Sequence, residues 1–136
     1  MTAPVNAQTM LANQVSAYPV GAVPTSASSA NVANATAAAT LAAVAGKTTY
    51  VTGFSVTGAG ATAGLPVTVT LTGVVGGPLN FTYCAAVGAL VANTPLVVVF
   101  PEPIPAAAVN TAITVSCPAL GAGNTNNTAT IYGFAQ

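Results

Sequence analysis

The chain has 136 residues, enough for one domain. Lys47 and Glu102 are its whole charged inventory, 1% of residues against roughly 25% in an ordinary soluble domain, and it has no Asp, Arg, His or Trp. That excludes a carboxylate pair, a Ser-His-Asp or Cys-His set, a four-ligand zinc site, and the several phosphate neutralisations that nucleic acid requires.

Residues 1–32 read as an extended N-terminal arm that orders on a partner, with a disordered tail as the alternative. Pro4, Pro19 and Pro24 interrupt any helix, and Ser26-Ala27-Ser28-Ser29 is linker-like. Met10, Leu11, Val15, Tyr18 and Val20 give the arm apolar groups to bury against another protein, and they are the candidate partner-binding residues.

From residue 33 onward the pattern is β. Ala33 to Val44 is rich in Ala, which favours helix, but Thr36, Thr40 and the β surroundings favour a strand. Thr48 to Thr57 alternates, with Tyr50, Thr52, Phe54 and Val56 on one face and Thr49, Val51 and Ser55 on the other. Gly58-x-Gly60-x-x-x-Gly64 follows a strand, as a dinucleotide loop does, but Leu65-Pro66-Val67-Thr68-Val69 starts another strand where that loop needs a helix. A hairpin turn is expected there instead.

Pro66 to Thr72 points Val67, Val69 and Leu71 one way and its threonines the other. Such a Thr row is what an ice-binding surface uses, but one row is too short for an ice plane, and the solvent side of a half-buried strand accounts for it. Leu79 to Ala85 aligns Leu79, Phe81 and Tyr83. Leu96 to Phe100 is a continuous apolar run, which predicts a strand covered on both faces. Pro101-Glu102-Pro103-Ile104-Pro105 reads as a rigid extended connection. Thr111 to Cys117 turns Ile113 and Val115 inward, and Thr128 to Phe134 places Thr130, Tyr132 and Phe134 on one face.

Six to eight short strands at this spacing predict an all-β, antiparallel β-sandwich over residues 33–136, jelly-roll-like or immunoglobulin-like. Tyr50, Phe54, Val67, Val69, Phe81, Tyr83, Ile113 and Val115 are the expected core.

Mean hydropathy is +0.73. The most apolar window, Cys84 to Phe100, is broken by Asn93-Thr94-Pro95, so no membrane span is expected. The first positive side chain is Lys47, which argues against a secretory signal. Cys84 and Cys117 are then most simply free, buried thiols, with a single disulfide between strands as the alternative. No catalytic residue, metal site, cofactor or small-molecule substrate is expected.

Ala45 to Phe54, Pro118 to Thr125 and the terminal Tyr132-Gly133-Phe134 resemble small Ala-, Gly- and Thr-rich virion proteins of tailed phages, among them head decoration or cement proteins. The resemblance covers about residues 40 to 136. It implies a non-enzymatic homotrimer, made in the host cytoplasm, that binds the major capsid protein on the outer surface of the capsid. The alternative is a receptor- or glycan-binding module of a head fibre or tail fibre. Exposed tyrosines and the Asn124–Asn127 loop would be its tools.

Overall fold

Apolar and hydroxyl side chains alternate along most of this chain, and a two-residue period is satisfied by a strand with one face buried. The computed structural model describes residues 18–136. Eight strands form there: β1 (Val23–Ser28), β2 (Ala37–Leu41), β3 (Thr49–Ala59), β4 (Pro66–Thr72), β5 (Leu79–Cys84), β6 (Leu96–Pro105), β7 (Ile113–Cys117) and β8 (Asn126–Ala135). Among the described residues there is no helix long and apolar enough to cross a membrane.

The strands make two four-stranded antiparallel sheets, β1-β8-β3-β6 (sheet A) and β2-β7-β4-β5 (sheet B). First pairs with last, second with seventh, third with sixth and fourth with fifth. This nesting is a jelly roll, which resolves the two topologies left open by the sequence. Only β4 and β5 are consecutive within one sheet; every other connection crosses between sheets. The Gly58–Gly64 segment is therefore a crossover from sheet A to sheet B, not a hairpin turn, although a strand does follow it.

The core lies between the sheets. Phe54, Val56 and Ile131 of sheet A meet Leu41, Val69, Leu71, Ile113 and Val115 of sheet B, all buried. Phe81 sits edge-on to Phe54 with ring centroids 5.1 Å apart. Of the expected core, Phe54, Val69, Tyr83, Ile113 and Val115 are buried, while Val67 and Phe81 are half-buried against it.

Further sequence expectations are corrected. The alternation assigned to β3 breaks at a bulge between Val51 and Gly53. One extra residue shifts the phase, so Val51 and Phe54 both face the core and Tyr50 falls on the outer face. Next, Leu96 to Phe100 is not covered on both faces. It ends sheet A, with Val97 63% and Val99 72% exposed. Pro101–Pro105 continues this same strand. Finally, both cysteines are free, but only Cys117 is buried; Cys84, on the edge strand β5, is exposed.

The stretch read as an arm contributes a strand of its own. β1 lies along β8 from Val23↔Ala135 to Ser28↔Thr130. The sandwich thus begins before residue 33. Its edge there is polar, and Ser28 Oγ is 3.0 Å from Thr130 Oγ1.

Candidate interaction surface

The two outer faces of the sandwich differ in chemistry. On sheet B, cross-strand register brings hydroxyls together: Thr40 lies beside Thr114 and Thr114 beside Thr72. Thr40 Oγ1 and Thr114 Oγ1 are 2.8 Å apart, and Thr70 Oγ1 donates to Asn80 Oδ1 at 3.0 Å. These groups hydrate a face that has no charge to do so. They also show that the Thr68, Thr70 and Thr72 row is the solvent side of a half-buried strand.

On sheet A the outward positions form rows across all four strands. One row runs Pro24, Phe134, Tyr50, Pro105, and the next runs Ser26, Tyr132, Gly53, Val99. Tyr50 stacks on Phe134 with centroids 4.9 Å apart and planes within 11°. Tyr18 meets the same ring edge-on at 5.7 Å. Phe134 is consequently only 3% exposed, although it stands on the outside of the sheet. Tyr132 remains 46% exposed. Gly53 has no side chain, so the second row dips between Tyr132 and Val99.

Tyr18, Pro24, Thr25, Ser26 and Tyr132 line a shallow depression of about 260 Å³. Aromatic faces and hydroxyls together, without charge, suit a neutral partner with apolar and hydrogen-bonding surface. Of the proposed arm anchors, Tyr18 belongs to this surface. Val20 is 84% exposed beside it. Met10, Leu11 and Val15 lie outside the described residues.

Lys47 is half-buried in the turn after β2, where its carbonyl accepts from Asn110 N at 3.0 Å. Glu102 is exposed on β6. Among the described residues, no three His, Cys, Asp or Glu side chains gather as a metal site.

The Asn-rich segment leading into β8 is divided: Thr125 and Asn126 are exposed, while the other two asparagines are structural. Asn124 and Asn127 are fully buried. Asn124 Nδ2 donates to Asn126 O at 2.7 Å and Ala59 O at 3.3 Å, while Asn127 Nδ2 reaches the carbonyls of Ala35, Cys117 and Pro118. These bonds satisfy backbone groups that loops would otherwise bury unpaired. The Asn-rich pattern identified a loop, but only the register of β8 shows which amides turn inward.

Two further groups have perturbed acidity. Burial pushes the Cys117 thiol up from 9.0 to about 11, against a smaller opposing effect of Asn127. Burial also raises the Tyr83 phenol, whose hydroxyl donates to Thr94 O at 2.9 Å. Both are held neutral in the core.

No family model, curated protein or solved structure matches this chain.

Proposed function

We propose that this protein is a structural component of a phage head, a decoration or cement protein bound to the major capsid protein on the outer surface, with no catalytic role. The observation that carries this reading is the pairing of an almost uncharged chain with an outer sheet face of tyrosines, prolines and valines. Such a face gains by being covered, and no net charge opposes close packing of copies. The jelly roll supports the reading as fold-level analogy, since viral capsid domains use it; lectin domains use it too, so the fold alone does not decide.

In this reading each copy binds the assembled lattice in preference to free subunits, and the lattice is stabilised by that difference. Attachment as a trimer would add avidity. Contacts between apolar and neutral polar groups keep their strength as ionic strength changes, unlike ion pairs. The test is copy number per particle by quantitative mass spectrometry, together with binding to emptied, expanded capsids. A copy number matching the shell lattice is expected; one matching a tail or fibre overturns the reading.

The depression between Tyr18 and Tyr132 favours one second reading, a glycan-binding module of a fibre, because aromatic faces beside Ser and Thr hydroxyls suit sugar rings. A glycan array without hits, or hits that persist in Tyr132→Ala, would count against it.

A further inference from the structure

The geometry points to the free edge of β6 as a two-fold contact with a second copy of this chain. The strand ends sheet A, so among the described residues no strand pairs with the other side of its backbone. Three observations fix which groups face that open side. Ala106 N donates to Thr49 O of β3 at 2.7 Å, and Val98 O lies 2.6 Å from where a Cβ on Gly53 would stand. On both regular stretches of the strand, around Val98 and beside Ala106, even-numbered residues therefore turn their backbone groups toward β3. Pro105 O instead accepts from Val75 N at 3.0 Å, on the far side. Odd-numbered residues thus turn theirs outward, and Val97 and Val99 present both N–H and C=O to the open side.

Pro101 and Pro103 offer no N–H, and the register slips between Val99 and Ile104, which together blunt the C-terminal half of the edge. The N-terminal half has none of the protection a solitary edge strand carries. From Leu96 to Val99 it has no charge, no proline and an unbroken register with β3.

The occupant follows from the sequence of the edge itself. Pro95 and Pro101 bracket Leu96, three valines and Phe100, a segment that reads nearly the same in both directions about Val98. An antiparallel second copy related by a two-fold axis at Val98 sets Val97 opposite the copy's Val99. In that register the residues with outward N–H and C=O face each other and exchange both bonds, twice. The two prolines fall opposite each other and end the ladder cleanly at both ends. Leu96, Val98 and Phe100, half-buried on the core side, come against their counterparts in the copy. The isologous pairing makes one eight-stranded sheet from two four-stranded ones. It does not depend on the capsid reading and leaves the Tyr18–Tyr132 depression, at the other end of the sheet, uncovered.

The test is sedimentation velocity of the full chain over a concentration series, with far-ultraviolet circular dichroism on every variant. The wild type should form a concentration-dependent dimer. Val99→Pro removes only an outward N–H, so it should keep the fold and lose the dimer. V97K/V99K sets like charges opposite each other across the two-fold and should also be monomeric. V97K/V99E sets Lys opposite Glu in the same register and should restore the dimer, which then weakens with added salt. In a Cys84→Ser background, Val98→Cys should give a covalent dimer on oxidation, because a non-hydrogen-bonded antiparallel pair brings Cα atoms to about 4.5 Å. A wild type that stays monomeric throughout, or a dimer or trimer indifferent to V97K/V99K, overturns the assignment. So does a V97K/V99E variant as monomeric as V97K/V99K. Loss of capsid binding with the dimer intact would sink the capsid reading alone.

Discussion

Tyr50 and Phe134 stack face to face on the outer side of sheet A, 4.9 Å apart, and the pair is a directly opposed cross-strand couple of β3 and β8. It clamps the C-terminal strand where a bulge in β3 has just displaced Tyr50 from the core. The stack should therefore hold the two strands in register. A double-mutant cycle with Tyr50→Ala and Phe134→Ala, read by urea denaturation, should give a coupling energy of about 0.5–1.5 kcal/mol. Phe134→Ala alone should cost about 3 kcal/mol, since the ring is nearly enclosed. A coupling near zero would mean the rings merely share a surface.

Gly133 lies between that phenylalanine and Tyr132, and a Cβ there would overlap the carbonyl oxygen of Tyr50 and press on the Leu41 side chain. The obstacle is backbone in a central pair of strands and cannot swing aside. Gly133→Ala should destabilise the fold by about 3 kcal/mol or more, beyond ordinary overpacking. Gly76→Ala is the comparison: its Cβ meets nothing, but its φ of +84° strains any L side chain, costing about 1–2 kcal/mol. Thermal denaturation of both variants checks the order; equal losses would show that crowding at Gly133 is relieved by movement of β3.

Much of the sandwich was legible because its strands carry clean alternation. Val67, Val69 and Leu71 against Thr68, Thr70 and Thr72 is a pattern that only one face of one strand satisfies. The misread elements failed for physical reasons. A β-bulge has no composition of its own, so the phase change at Thr52 that moves Tyr50 outward left no mark beyond a neighbouring glycine. A run of five apolar residues is the same string whether a strand is covered on both faces or exposed on an edge, and Leu96 to Phe100 is the second case. The outer aromatic surface was half visible. Tyr132 and Phe134 were aligned on one face by spacing, but their meeting with Tyr50, Tyr18 and Pro24 depends on strand order, which pattern does not encode.

The two N–H groups of Asn127 are shared among three backbone carbonyls, at 3.0–3.3 Å, tying β8 to the end of β7 and to Ala35. Asn127→Ala should cost about 2 kcal/mol, near 1 kcal/mol for each of the two N–H donors lost. Asn127→Asp is the sharper test. It keeps the shape but points a carboxylate at carbonyl oxygens, so it should be worse than alanine at neutral pH and recover partly in acid as the group protonates. A pH series of urea midpoints for the two variants decides this, and an aspartate better tolerated than alanine would refute the role given to the amide.

The two thiols should behave differently. Cys84 is exposed and should react promptly with a disulfide reagent, whereas Cys117, buried with its acidity pushed up to about 11, should react only as the protein unfolds. The same shift sets a pH dependence. The folded state keeps the Cys117 proton at a pH where the unfolded chain, near the ordinary 9.0, has released it. Its contribution to stability is full below that value and is lost as pH rises from about 9 through about 11. The raised Tyr83 phenol acts with the same sign. Urea midpoints should fall across this alkaline window, and Cys117→Ala should flatten part of the slope. A midpoint that rises there would reverse the assignment.

Removing residues 1–17 separates the fold from its proposed partner. The cut leaves Tyr18 on Phe134 and the whole of β1 on β8, so the truncated chain should unfold within about 1 kcal/mol of the full one. A cut at residue 30 is a poorer probe, because it also strips β1 from sheet A and uncovers the edge of β8. Met10, Leu11 and Val15 leave with the shorter cut while Tyr18 and Val20 remain. If the first three anchor the protein on a capsid, binding to emptied, expanded particles should fall sharply in a pelleting assay while the melting curve stays put. If binding is unchanged, the contact belongs to the outer face of sheet A, and Tyr132→Ala becomes the substitution that should abolish it.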